Sequence, residues 1–138
     1  MSLLNFARGD VMTIKPGMTV SEAAKRMKDK KVGSLVVIQE QRPIGILTDR
    51  DIVTRVISQE RNPKEVVVEE VMTPNPTVLE EELGLFEALE IMKDKGVRRF
   101  PVVGPSGKLT GFFSVDDVLY LLGLELSAVA RIIDSESP

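Results

Sequence analysis

Two stretches of the sequence repeat one pattern of residues that can bind a nucleotide or cap a helix. Residues 45–51 and 111–117 each give a glycine, two apolar residues, a hydroxyl, two variable positions and an aspartate. The pattern is typical of a strand that leads into a helix, where backbone N–H groups can receive a phosphate. A hydroxyl followed by an acid three residues later also forms a capping box, which stabilises a helix by about 1 kcal/mol. Both interpretations stay open for Thr48 with Asp51 and for Ser114 with Asp117.

Arginine side chains near the two motifs supply the positive charge that an anionic ligand needs. Arg50 lies inside the first motif, and Arg98 and Arg99 precede a predicted strand. The guanidinium group matches phosphate geometry. Arg98 and Arg99 can also be simple surface residues at a sheet edge. In the first copy the positions of that pair are Gly33 and Ser34. We therefore expect two unequal sites.

The composition argues against an enzyme. The 138 residues contain no histidine and no cysteine, so the usual general base and the strongest nucleophile are missing. A Ser-His-Asp set, a disulfide and a thiolate metal site are impossible. The sequence has neither a Walker-type glycine loop nor a carboxylate cluster with the spacing of a metal loop. We expect no catalytic residue, no metal and no required cofactor.

The distribution of charge and apolar residues bears on location and partners. No window approaches the roughly 18 uncharged apolar residues of a membrane span, and Arg8 and Asp10 interrupt the apolar start. We expect a soluble, cytoplasmic protein that does not bind a membrane. Residues 1–65 hold twelve basic against eight acidic residues (+4), and residues 66–138 hold six against thirteen (−7). This asymmetry favours an antiparallel homodimer or attraction of an anionic ligand, unless both halves are simply solvated faces.

A basic run at residues 25–31 raises the question of nucleic acid. The run lies on the polar face of a predicted helix in an acidic chain with 4% aromatic residues. We therefore interpret it as a solvated face and expect no nucleic-acid binding.

The chain consists of two repeats. The triplets at residues 11–13 and 71–73 match at an offset of 60, but longer blocks align at offsets of 64 to 66, with Thr13 on Thr77. We take the triplet match as chance. Each repeat reads as a short strand, an amphipathic helix, two strands that form a hairpin, and a closing helix. We expect residues 1–65 to form the first repeat and residues 66–138 the second, with a C-terminal helical tail.

The fold class predicted is α+β, with the two repeats packed sheet to sheet. A unit of this size alone could hardly bury its apolar face. The segment from residue 59 to 76 carries three prolines and several apolar residues, so we expect it to pack across the molecule. The closing helices, residues 52–57 and 118–124, are expected to supply dimer contacts, and the apolar tail from Leu124 to Ile133 to pack on them or on a partner.

Two complete sets of motifs in this order resemble a tandem pair of CBS domains, known as a Bateman module. The resemblance is carried by residues 32–37 and 45–51 in the first copy and by residues 96–103 and 111–117 in the second. It covers roughly residues 10 to 123. It implies two β-α-β-β-α units related by pseudo-two-fold symmetry.

The resemblance also implies a ligand site in a cleft between the repeats. The hydroxyl of each motif would contact phosphates, and the aspartate would bind the ribose hydroxyls. Arginines would bind phosphate, and adenine would lie between apolar and backbone groups at the start of each repeat. The full predicted set is Thr13, Ile14, Ser34, Thr48, Arg50, Asp51, Thr77, Val78, Arg98, Arg99, Ser114 and Asp117.

The function implied is that of a stand-alone adenosine-ligand sensor. The ligand would be AMP, ADP, ATP or S-adenosylmethionine, and its binding would be transmitted in trans to a partner protein. The alternative is a protein interaction scaffold whose clefts hold no physiological small molecule.

Overall fold

Each half of the chain folds in the predicted order of elements in the computed structural model, which describes residues 2–3, 7 and 9–136. The second half has the longer closing helix, and a short helix and strand follow the first half. In chain order the elements are β1 (Thr13–Ile14), α1 (Val20–Lys30), β2 (Ser34–Gln39), β3 (Arg42–Thr48), α2 (Asp49–Ile52) with a π-helical continuation (Val53–Ile57), α3 (Val68–Val71), β4 (Thr73–Pro74), β5 (Leu79–Glu80), α4 (Leu85–Met92), β6 (Arg99–Val103), β7 (Leu109–Ser114) and α5 (Val115–Glu136).

The two amphipathic helices begin as their first residues predict. Thr19 and Glu22 have the residue types and spacing of a capping box, and they form one at the start of α1, with the Glu22 N–H donating to Thr19 Oγ1 at 3.1 Å. Gly84 at the start of α4 provides no side-chain cap, which is the weaker start that the sequence indicates. Both helices present apolar residues at helical spacing to the sheet beside them.

Each half contributes one sheet with the same pairing. β2 lies parallel to β1 and antiparallel to β3, and β6 lies parallel to β5 and antiparallel to β7; β4 extends the first sheet along β3. Both hairpins have a bulge at the equivalent place, after Val37 and after Val102. Those two residues pair with the motif glycines Gly45 and Gly111. The motif hydroxyls therefore lie at the ends of equivalent strands.

The two sheets face each other, as predicted. Alternate residues of β2, Leu35 and Val37, belong to the first core, and the strand's period of two turns Val36 to the opposite face. Val36 is 1% exposed although it belongs to neither core, and it lines one cleft together with Phe112 of β7. The chain is thus an α+β fold of two units packed sheet to sheet.

Each core is completed by a short segment from the other half of the chain. Leu3 is fully buried in the second core, and its N–H donates to Leu83 O at 2.8 Å. Val68 is fully buried in the first core, and its N–H donates to Met18 O at 2.8 Å. These equivalent contacts are the pseudo-two-fold relation in atomic detail. They also show why the segment from residue 59 to 76 is apolar, since part of it packs in the first core.

The backbone contacts correct one detail of the repeat alignment. Ile14 pairs with Val37 and Leu79 pairs with Val102, which gives an offset of 65 and places Thr13 on Val78. The alignment of Thr13 with Thr77 is wrong by one residue. It matched the two threonine hydroxyls, whereas the inward-facing residues Ile14 and Leu79 are the equivalent pair. The Met72 N–H donates to Val68 O as the Ala7 N–H donates to Leu3 O, so Met72 is equivalent to Ala7 and not to Met12. This confirms that the triplet match at an offset of 60 is chance.

The closing helices differ between the repeats. In the first, α2 passes into a π-helical turn, and the Thr54 hydroxyl donates to Arg50 O at 2.9 Å, a local bond that competes with regular helix geometry. In the second, closing helix and tail are one helix, α5, of 22 residues. Its tail residues are exposed, so they do not pack back on the repeats.

Candidate functional site

The first motif forms a complete capping box. The Asp51 N–H donates to Thr48 Oγ1 at 3.1 Å, and the Thr48 N–H donates to Asp51 Oδ2 at 2.9 Å. The other N–H groups of the turn are also bonded: that of Asp49 donates to Gly33 O at 2.9 Å, and that of Arg50 to the Asp49 carboxylate at 2.8 Å. These bonds occupy the N–H groups that a phosphate would need at the start of α2.

The linker between the repeats, residues 59–76, covers the first motif. Arg55 lies 3.7 Å from the Asp51 carboxylate, and its guanidinium also donates to Val71 O at 2.8 Å and to Thr73 Oγ1 at 3.3 Å. A Cβ on Gly45 would meet the side chain of Met72 and would lie 3.1 Å from Thr73 O. The glycine of this motif therefore gives the linker room to approach the strand closely.

The second motif is capped in the same way. The Ser114 N–H donates to Asp117 Oδ2 at 2.9 Å, the Ser114 hydroxyl donates to the same oxygen at 3.1 Å, and the Asp117 N–H donates to Ser114 Oγ at 3.3 Å. The Val115 N–H donates to Arg98 O at 2.9 Å. The residue equivalent to Arg55 is Leu121, so the second aspartate is not held by an arginine at that position.

A cleft of about 460 Å³ opens between the repeats at the second motif. The second repeat contributes the motif and the start of β6, and the first contributes the approach to β1, the end of α1 and the start of β2. Basic side chains from both repeats and three aspartates line it. The lining residues are Asp10, Val11, Met12, Lys30, Lys31, Val32, Gly33, Ser34, Val36, Arg99, Phe112, Ser114, Asp116 and Asp117.

The cleft brings together four of the predicted site residues. Ser34, Arg99, Ser114 and Asp117 all line it. The β-ladder explains this, because Arg99 pairs directly with Ser114 across β6 and β7. One cleft thus contains Ser114 and Asp117 of the second motif, together with Ser34 and Arg99, the first residues of the equivalent strands β2 and β6.

The remaining predicted residues lie elsewhere. The Ile14 side chain is 1% exposed and packs in the first core. Thr13 accepts a 2.7 Å bond from Arg26 on its carbonyl and lines a smaller neighbouring cavity of about 250 Å³. Arg98 is paired with Asp116 at 3.3 Å on the surface. The other predicted residues that do not line the cleft are Thr48, Arg50, Asp51, Thr77 and Val78.

Several lining residues were missed by sequence reasoning. Lys30 and Lys31 end the basic run that was interpreted as a solvated face; both residues are exposed, and both also line the cleft. Lys31 has the left-handed backbone that ends α1 (φ 56°), and the Val32 N–H donates to Met27 O at 3.0 Å. Lys30 and Lys31 directly precede the CBS-like segment at residues 32–37, and this position could have identified them.

The residues predicted to contact adenine do not line this cleft. Val11 and Met12, before β1, line the cleft where Thr13 and Ile14 were expected. Val11 and Met12 are partly buried, so apolar surface is present for a base to cover.

The chemistry available in the cleft is that of binding. Lys30, Lys31 and Arg99 can neutralise an anion, and Ser34, Ser114 and Asp117 can hydrogen-bond hydroxyl groups. Among the described residues no group of three or more acidic side chains is placed to hold a metal ion. Nor does the described part of the chain contain a helix with the length and apolar content needed to cross a bilayer.

Comparison of the sequence with known families and proteins gives consistent matches. The family model of the CBS domain matches residues 5–58 and again residues 68–124. An uncharacterized protein of Methanopyrus kandleri is 41% identical over 120 residues, which cover 86% of this chain. The match spans 61% of the length of that relative.

Solved structures show the same architecture. A hexameric CBS-CP12 protein from bloom-forming cyanobacteria is 34% identical, with a TM-score of 0.75 over 87% of this chain and 67% of that one. The CBS-pair protein CBSX2 from Arabidopsis thaliana is 25% identical, with a TM-score of 0.77 over 92% of this chain and 96% of that one. Both resemble this chain across both repeats.

Proposed function

The chain belongs to the CBS domain family, with two copies in tandem, and we propose that it is a regulatory module that binds an adenosine-containing ligand in the cleft at the second motif. The observation that carries the proposal is the meeting of Ser114, Asp117 and Arg99 with Ser34 and Lys31 in one cavity. The ligand class is AMP, ADP, ATP or S-adenosylmethionine. No catalytic step and no required cofactor are part of the proposal.

Within the cleft, each chemical group of the ligand has a counterpart. A ribose diol is a hydrogen-bond donor for the Asp117 carboxylate. Phosphates would be bound by Arg99, Lys30 and Lys31, because the backbone N–H groups of Val115 and Asp117 donate within the protein. The base would lie against Val11 and Met12. We expect phosphate-bearing ligands to bind more tightly than S-adenosylmethionine, which lacks phosphate.

The two motifs are proposed to be unequal. Both motifs make capping bonds, but Arg55 and the linker lie only against the first, so we assign ligand binding to the second. Val53, Ile57, Leu119 and Leu122 are each more than half exposed on the closing helices. We propose that these helices form a homodimer and that ligand occupancy reaches a partner protein in trans. A cytoplasmic location stays a prediction.

A thermal-shift panel with the four ligands tests this function. A ligand present at 100 times its Kd stabilises the folded chain by about 2.7 kcal/mol. Asp117→Ala and its matched control Asp51→Ala each remove one capping box, so both should lower the melting temperature of the ligand-free protein by a similar amount. We expect only Asp117→Ala to lose the ligand-induced shift.

Two outcomes would contradict the proposal. If none of the four ligands raises the melting temperature of the wild type, the chain is not an adenosine sensor of this class and the scaffold alternative gains support. If Asp51→Ala loses the shift while Asp117→Ala keeps it, the ligand binds at the first motif and the assignment is wrong.

A further inference from the structure

The C-terminal half of α5 carries large apolar side chains that nothing in the described chain covers. Eight such residues on this helix are half exposed or more. Between residues 118 and 133 the only charged side chains are Glu125 and Arg131. The exposed residues are Leu119, Tyr120, Leu122, Leu124, Leu126, Val129, Ile132 and Ile133.

Five of these residues follow the spacing of a coiled coil. Their positions advance by three, four, three and four residues, which is the a/d pattern of a heptad. This spacing places their side chains in one narrow line along the helix, with exposures from 51% to 71%. We call this line the seam; it consists of Leu119, Leu122, Leu126, Val129 and Ile133.

The exposed area is large for a surface without a partner. At the observed exposures the five seam side chains present on the order of 500 Å² of apolar surface on one helix. A standard protein interface buries about 800 Å² per partner, and the largest apolar patch on a soluble protein is often a functional surface. The helix alone therefore supplies most of what one side of a stable dimer needs.

The spacing also selects the kind of partner. A 3.5-residue repeat fits another helix with the same repeat, because each a or d side chain then enters a hole formed by four residues of the facing helix. A second copy of this chain presents that matching pattern by symmetry, and an isologous dimer needs one self-complementary surface.

We propose that the seam pairs with the seam of a second copy, so that α5 forms a two-helix coiled coil between protomers. This goes beyond dimer contacts within the repeats, since Leu126, Val129 and Ile133 follow the residues matched to the CBS domain. It is independent of the ligand proposal, because no seam residue lines the cleft.

Sedimentation equilibrium of the full chain tests the seam with a matched pair of variants. Leu126→Glu places a charge in the seam, and Leu124→Glu places the same charge two residues away on another face of the helix. Both side chains are at least half exposed, so neither change should unfold the repeats. We expect Leu126→Glu to raise the dimer dissociation constant by about tenfold or more and Leu124→Glu to change it by less than about threefold.

A second seam variant, Val129→Glu, should reproduce the effect of Leu126→Glu, with far-ultraviolet circular dichroism confirming that the fold is kept. A wild-type chain that stays monomeric at the highest measurable concentration would overturn the proposal. So would equal effects of Leu126→Glu and Leu124→Glu, which would indicate unspecific apolar contact. Ligand-induced thermal shifts of the same variants report on the cleft separately.

Discussion

Two neighbouring arginines show how one residue of register decides a side chain's role. Arg99 is the first residue of β6 and pairs with Ser114, which directs it into the cleft. Arg98 lies one residue earlier, and its guanidinium is 3.3 Å from Asp116 with both side chains largely exposed. An exposed pair of this kind contributes little to stability. The charge available to a ligand therefore comes from the second arginine.

The arginine pair gives a matched test of phosphate binding. Arg99→Ala should weaken binding of ATP or AMP by about 10- to 100-fold, since a hydrogen bond to a charged group contributes about 1.5–3 kcal/mol. Arg98→Ala should leave the affinity nearly unchanged. Isothermal titration calorimetry measures both. Equal losses would mean that the two arginines act through the general positive potential rather than through contact.

The site could be predicted from the sequence only in part. Ser114, Asp117, Arg99 and Ser34 were found because the motifs and strands fixed their relative positions. Lys30 and Lys31 were missed because helical periodicity assigns a side chain to a polar face and says nothing about what lies opposite that face. Ile14 does not line the cleft, because the alternation of β1 turns its side chain into the core.

The linker makes the surroundings of the first motif different from those of the second. α3 and β4 pack against the first repeat, with Val68 and Val71 buried in its core and Thr73 paired with Ile46 of β3. Arg55 ties this segment to Asp51. The first motif therefore helps hold the linker in place.

Substitution of the motif glycine tests this packing. Gly45→Ala would place a Cβ against Met72 and 3.1 Å from Thr73 O, and we expect a loss of about 1–3 kcal/mol in the free energy of unfolding. Gly17→Ala is the control, because its Cβ would have no neighbour within 4 Å. Urea denaturation measures both. If the two variants are equally stable, the linker does not require the glycine.

The order of the elements was predictable because hydrophobic periodicity and turn residues mark each of them. The apolar runs at residues 35–38 and 109–113 predict strands, and the structure has strands at residues 34–39 and 109–114. The π-helical turn after α2 and the fusion of closing helix and tail in α5 were not predicted. The π-helical turn includes the bond from the Thr54 hydroxyl to Arg50 O, and the periodicity of apolar residues indicates neither feature.

In the whole molecule, the exchange of segments joins the packing of the two repeats. The second core needs Leu3 from the start of the chain, and the first core needs Val68 from the linker. A change in one half therefore affects the packing of the other. This arrangement offers a route by which occupancy of a cleft between the repeats could reach the closing helices.

Removal of an exchanged side chain tests whether each core depends on the segment from the other half of the chain. Leu3→Ala should lower the free energy of unfolding by about 2–5 kcal/mol, because Leu3 is fully buried. Phe86→Ala is the control, since Phe86 is 76% exposed although it is larger. Thermal and urea denaturation should show the difference. A Leu3→Ala chain as stable as Phe86→Ala would mean that residues near the start of the chain do not complete the second core.

A crystal structure of the chain grown with the ligand that gives the largest thermal shift tests the ligand site most directly. We expect electron density for one adenosine group per chain in the cleft, with its ribose at Asp117 and its phosphates near Arg99 and Lys31. Density at Thr48 and Asp51 alone, or a ligand that contacts neither Ser114 nor Asp117, would contradict the assignment of the second motif as the binding site.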